Sequence, residues 1–145
     1  MLKKIGLVAI LSSSLLSDMI YVSNEKDDTV TVIDSKTDKV VKTYEVGQRP
    51  RGITLTNDYS KLYICASDDD TVQAMDTKTG KILYDLPSGA DPEQFALTPN
   101  NKELYISNED DGIVTVVDID KKLVVAQIEV GLEPEGMAVS PDGKL

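Results

Sequence analysis

Apolar and polar positions alternate along this chain in short runs. Val30 and Val32 in TVTVID (29–34), Val72 and Ala74 in TVQAMD (71–76), and Val114 and Val116 in IVTVVD (113–118) each recur at every second residue. That period places them on one face of a β-strand. Each run is preceded by another segment rich in β-formers: MIYVS at 19–23, LYICA at 62–66 and LYISN at 104–108. A further strand is expected at VVKTYEV (40–46), with relatives at 82–87 and 123–130. QFALT (94–98) is a short apolar run closed by the turn residues Pro99-Asn100-Asn101. No run with the 3.6-residue period of a helix follows residue 17.

These strands belong to a repeat. Tyr21, Tyr63 and Tyr105 lie 42 residues apart, and the same ungapped spacing relates five more sets. They are Asp27, Asp69 and Asp111; Val30, Val72 and Val114; Asp34, Asp76 and Asp118; Gly47, Gly89 and Gly131; and Pro50, Pro92 and Pro134. Four short strands per 42 residues, joined by turns, predict an all-β fold of β-propeller type built from four-stranded antiparallel blades. The expected divisions are an incomplete first blade at 18–50, blades at 51–92 and 93–134, and the first strand of another at 135–145. The chain then amounts to an open fragment of about three blades from a ring of about seven. A dimer of half-propellers is the alternative to a truncated ring.

The first segment reads as an address. Lys3 and Lys4 precede an apolar run from Ile5 to Leu11, followed by Ser12–Ser14, the order of a secretory signal peptide over residues 1–17. The run is shorter than the roughly 20 residues that span a bilayer. A retained anchor or a packed N-terminal strand are the competing readings. Export implies a secreted protein with no membrane attachment after cleavage.

Charge and composition then narrow the chemistry. The 25 acidic and 15 basic residues give −10, and losing Lys3 and Lys4 with the leader deepens this to −12. Nucleic-acid surfaces need clustered Lys and Arg, so nucleic acid is disfavoured as a partner. The absence of histidine removes His-based triads, haem ligation and His-containing zinc sites. The lone Cys65 reads as a small core residue on a strand. No catalytic residue, metal ligand set or cofactor is expected.

The run Tyr-Val-Ser-Asn at 21–24, with YISN at 105–108, resembles the YVTN-repeat β-propellers; the second unit departs from it as YICA at 63–66. Strings such as VSNEKDDTV, GQRPRG, CASDDDTV and EPEGMAVSPDGK are most similar to exported propellers associated with pyrroloquinoline quinone (PQQ)-dependent alcohol catabolism. The resemblance covers residues 19–145. It implies a periplasmic, non-enzymatic binding or scaffold propeller, with a quinoprotein dehydrogenase or a cytochrome as partner. Related repeat sequences also include lactonases and surface-layer or DNA-binding propellers. Those are the alternatives, and a hydrolase here would need Asp or Glu as its base. The quinoprotein dehydrogenases are themselves propellers with Trp docking motifs, which a chain without tryptophan does not resemble, so PQQ is not expected as a bound cofactor.

Candidate residues follow from the repeat register. Asp34, Asp76 and Asp118 end strands and enter turns, where an Asp side chain accepts from backbone N–H groups two residues on. Each Gly-x-x-Pro crossing turns the chain inward between blades, Gly through positive φ and Pro through its fixed φ. The residues flanking the prolines differ between copies: Arg49 and Arg51, then Asp91 and Glu93, then Glu133 and Glu135. They are the candidate ligand-binding set at the channel face, either paired across the blade boundary or free to hold a small anion. The loops 25–28, 68–70 and 109–111 add an acidic rim, solubilising or suited to a basic partner. They lack the spacing of an EF-hand calcium loop.

Overall fold

The structure, a computed structural model, describes residues 18–144. The expected leader, residues 1–17, lies outside the described residues. Eleven strands form three antiparallel sheets, with a 3-10 turn at Ser67–Asp69 as the single helical element among the described residues. The first sheet is β1 (Met19–Asn24), β2 (Thr29–Asp34) and β3 (Lys39–Glu45). The second is β4 (Pro50–Leu55), β5 (Lys61–Ala66), β6 (Thr71–Asp76) and β7 (Ile82–Pro87). The third is β8 (Pro92–Leu97), β9 (Glu103–Asn108), β10 (Ile113–Asp118) and β11 (Leu123–Glu129). In every sheet the strands lie side by side in chain order.

Local chemistry explains the hairpins. Asp34 Oδ1 accepts from the Lys36 and Thr37 N–H groups at 2.8 and 3.1 Å, and Asp76 Oδ1 accepts from Lys78 and Thr79 at 3.1 and 2.7 Å. Asp118 Oδ1 accepts from the Lys121 N–H at 2.9 Å. A left-handed residue follows each, Asp38, Gly80 or Lys122. The ladder then shifts register at the same place in all three copies, between Val32 and Ile33, Ala74 and Met75, and Val116 and Val117. A left-handed residue followed by a bulge reconciles a short loop with the twist of the strands.

Two details differ from the sequence expectation. The inner strands begin at Pro50 and Pro92, inside the crossings, and both prolines are buried. A proline has no N–H to donate, and the first residue of an edge strand is where that loss is tolerated. Residues 135–144 form no strand, because a strand exists only in a ladder and this segment has no ladder partner among the described residues. Its closing turn nevertheless repeats: Gly143 N–H donates to Ser140 O at 2.9 Å, as Tyr59 does to Thr56 O and Asn101 to Thr98 O, both at 2.8 Å.

The core lies in the two seams between sheets. Leu62, Ile64 and Met75 of the second sheet pack with Val30 of the first, backed by Tyr21, Tyr44, Val46, Ile53 and Leu55. On its other face Tyr63, Cys65, Val72, Ala74 and Leu86 meet Phe95, Leu104, Ile106, Val117 and Ile119. The second sheet is thus covered on both sides, which is why LYICA is a continuous apolar run. Strand β11 is exposed along its whole length and β3 along nearly all of it.

Serine hydroxyls bond to backbone carbonyls at one repeated position. Ser23 Oγ donates to Arg51 O at 2.7 Å and Ser107 Oγ to Glu135 O at 2.9 Å. The middle copy has Cys65 there, fully buried, with its thiol pushed well up by burial. The next position is Asn24, Ala66 and Asn108. Asn24 Nδ2 donates to Thr29 and Thr31 Oγ1 at 3.0 and 2.8 Å, and Asn108 Oδ1 accepts from Thr115 Oγ1 at 2.7 Å. Where Ala66 replaces Asn, Gln73 replaces the partner threonine and its Oε1 accepts from Gly47 N–H at 2.7 Å.

Truncating Ile64 to Ala in the seam between the first and second sheets is expected to cost about 2–5 kcal/mol of stability. Cys65→Ser, which installs the hydroxyl used by the other two copies, should cost under about 1 kcal/mol. Urea unfolding followed by circular dichroism measures both, and equal losses would contradict the seam assignment.

Candidate functional site

The crossings bring the charged candidates to the starts of β4 and β8, the inner strands, which pack against each other. Arg49, Asp91 and Glu133 each adopt a left-handed φ, at 52°, 42° and 52°. The sharp turn is therefore carried by the residue before each proline. Gly89 also has positive φ, whereas Gly47 does not. Gly47 is needed for space: a Cβ there would stand 2.6 Å from the Cβ of Ala66 and from Asp69 Oδ2.

Rim carboxylates hold these strained residues in place. Asp28 Oδ1 accepts from Arg49 N–H at 2.8 Å, and Asp70 Oδ1 accepts from Asp91 N–H at 2.9 Å. Asp69 Oδ2 accepts from Gln48 N–H at 2.8 Å. Arg49 O in turn accepts from Ser67 N–H at 3.2 Å, and Asp91 O from Glu109 N–H at 3.3 Å. Part of the rim is therefore structural, built into the crossings it surrounds.

The two arginines meet a converging set of carboxylates. Arg49 lies 3.0 Å from Asp91, 3.4 Å from Glu25 and Asp68, and 3.5 Å from Glu93. Arg51 Nε donates to Glu93 Oε2, and its Nη1 stands 3.7 Å from Glu25. Glu93 is 1% exposed. Burial pushes its carboxyl up to about 7; Arg51 opposes this, while a hydrogen bond with Glu109 and the charges of Asp91 and Glu109 add to it. Burial also raises Asp91, against Arg49. The ion pair across the boundary is thus present, and both guanidinium groups are engaged by carboxylates. Among the described residues Glu133 and Glu135 make no ion pair; Glu135 is tied in through its carbonyl alone.

Glu109 was legible only as part of the rim, and nothing in its spacing announced contact with Glu93. The oxygens of Asp91, Glu93 and Glu109 come within 4.8 Å of one another, close enough to share a proton or a hard cation. Arg49 and Arg51 supply positive charge at this point. A cleft of about 610 Å³ lies elsewhere, between the third sheet (Ala96, Tyr105) and the segment carrying Met137 and Asp142.

No family model and no curated protein sequence matches the chain. Among solved structures it is similar to Kuenenia stuttgartiensis hydrazine synthase, with a TM-score of 0.78 and 24% identity over 87% of this chain and 37% of that one. That structure contains a β-propeller, and at this identity the likeness speaks to fold alone. The fold is all-β and β-propeller-like, and the chain spans well under half the length of its structural neighbour.

The raised Glu93 carboxyl has a defined consequence for stability. Between its unfolded value near 4.5 and its folded value of about 7, the native state holds the proton more tightly, so its stabilising effect is full below the unfolded value and is lost as pH rises through the window. Asp58, Asp76 and Asp118 have the opposite sign: hydrogen bonds lower them, Asp58 to about 2, and their contribution is lost on acidification. Melting temperature should therefore fall between pH 5 and about pH 7 in the wild type. The fall should flatten in Glu93→Gln, read by calorimetry in buffers of constant ionic strength. An unchanged slope in the variant would place the titration elsewhere.

Proposed function

We propose that this chain is a non-enzymatic binding module, its three sheets consecutive blades of a larger ring of the expected seven, whose inner charged mouth docks a basic partner. The observation that carries this reading is the arginine–carboxylate cluster at the starts of β4 and β8. Two guanidinium groups meet Glu25, Asp68, Asp91 and Glu93, and the adjoining loops add further acids. The arginines are neutralised and the surplus around them is negative, so the mouth favours a cationic surface over the small anion that free arginines would hold. The buried Glu93, raised to about 7, is 1% exposed and bound to Arg51, which favours a pairing across the sheets over a hydrolytic base.

The resemblance to exported propellers of PQQ-dependent alcohol catabolism supplies the setting: a periplasmic accessory whose partner is a basic cytochrome or a quinoprotein dehydrogenase. The direct test is titration of the chain with a basic c-type cytochrome by calorimetry at increasing salt. Affinity should fall by roughly tenfold or more from low to physiological ionic strength as the surface charges are screened. Neutralising the rim at Asp110 and Asp111 should weaken binding further without unfolding the protein. Salt-insensitive binding, or none at low salt, would overturn the reading.

A further inference from the structure

The second sheet has a neighbour on each face, so packing on both sides sets what it leaves in solvent. Its exposed large apolar side chains are Tyr59 at 71%, Ile82 at 37% and Leu83 at 48%. All three stand at one end of the sheet. Tyr59 lies in the turn after β4, and Ile82 and Leu83 follow the hairpin between β6 and β7. Thr77 Oγ1 ties the two turns together by donating to Tyr59 O at 2.7 Å. Because β4 starts at the charged mouth, this is the opposite end.

Packing explains neither feature. Leu83 is the extra residue of a bulge, since Met75 opposes Ile82 and Ala74 opposes Tyr84. Val41 and Val125 hold the same bulge position in the first and third sheets. The three side chains are exposed alike, at 49% for Val41, 48% for Leu83 and 47% for Val125. Tyr59 has a left-handed φ of 57°, at a register position filled by Asn101 (58°) and Gly143 (66°) in the later copies. Asn and Gly bear that conformation at low cost, and a bulky residue does not.

Lysines surround these side chains. Lys36, Lys39 and Lys42 lie on the first hairpin, Lys78 and Lys81 on the second, and Lys121 and Lys122 on the third, all exposed. Segments 34–42, 76–83 and 118–125 carry seven lysines and five aspartates, a balance of +2. The rest of residues 18–144 holds 20 acidic and six basic residues, or −14. Asp34, Asp76 and Asp118 accept from the backbone of their own turns, and Asp118 also holds Lys121 at 2.6 Å. The hairpins form a row: a Cβ on Gly80 would strike the Tyr44 ring of the first sheet, and Lys122 stands 3.9 Å over the Tyr84 ring of the second. Lysine on an edge strand also discourages edge-to-edge pairing, but that role asks for no aliphatic bulge and no tyrosine beside it.

We propose that this end of the sheets docks on an anionic lipid surface, with Tyr59 and the bulge aliphatics among the headgroups and the lysines on the lipid phosphates. Apolar and aromatic side chains flanked by lysines with long apolar stems match both parts of such a surface. The acidic mouth does not oppose the contact. It lies a six-residue strand away, about 20 Å, whereas the Debye length at physiological salt is about 8 Å. The contact is peripheral and reversible, needs no anchor and leaves the mouth facing solution. It stands apart from the identity of any partner there.

The test uses the full 145-residue chain in a Cys65→Ser background, with an environment-sensitive fluorophore on Leu83→Cys or, at the opposite end, on Asp110→Cys. Vesicles of phosphatidylglycerol and phosphatidylcholine should shift the Leu83→Cys label to the blue and leave the Asp110→Cys label unmoved. Pure phosphatidylcholine should bind at least about fivefold more weakly, and raised salt should weaken binding to the anionic vesicles. Lys78→Glu with Lys81→Glu should remove the shift without changing the β spectrum. An unmoved Leu83→Cys label overturns the proposal, whether the chain sediments with vesicles through residues 1–17 or the label photo-cross-links to a protein instead. Equal shifts on neutral and anionic vesicles, or a shift at Asp110→Cys, would overturn it as well.

Discussion

Each sheet of this protein has apolar side chains on both faces, and stacking the sheets face to face is what buries them. The second sheet is covered through Leu62, Ile64 and Met75 on one side and Tyr63, Cys65, Val72 and Leu86 on the other. Almost everything else in the structure follows from stacking sheets this way. The inner strands must approach closely, which requires Gly52, and the chain must turn sharply at each crossing, which puts Arg49 and Asp91 into left-handed backbone. Apolar burial at about 25 cal/mol per Å² is the dominant stabilising term in such an arrangement, and the polar groups at the seam select its register.

The charged cluster is a product of the same geometry. Residues flanking successive prolines are remote in sequence, yet adjacent inner strands bring them within ion-pairing distance. Because the copies differ in sign, arginines of one crossing meet carboxylates of the next. Glu93 lies inside the seam and bears the cost of desolvation, so its carboxyl is raised to about 7, and burial raises Asp91 as well against the charge of Arg49. A structural pairing and a binding surface are thus the same residues seen from inside and from solvent.

Much of the fold was legible before any coordinates. The period of two in TVTVID and its relatives, and the 42-residue spacing of Tyr21, Tyr63 and Tyr105, are direct consequences of strand geometry and of stacking identical units. The Asp34, Asp76 and Asp118 turns were readable because the contact is local, within three residues. The positive φ assigned to Gly47 was misplaced: it falls on Arg49, and Gly47 answers to crowding by Ala66 and Asp69, which are near only in space. The start of β4 and β8 at the prolines, and the lack of a strand after Glu135, depend likewise on whether a ladder partner is present.

The sequence by itself determined the strand content, the repeat, the turns and the list of charged residues flanking each proline, since all are set by interactions along the chain or by its periodicity. Only the tertiary structure decided which charges meet, that Glu93 is buried while Glu135 is not, and that Ala66 with Gln73 replaces the Asn–Thr pair of the other copies. The reason is physical: burial and ion pairing are properties of the seam between sheets, and a seam joins residues whose separation in the chain carries no local signal.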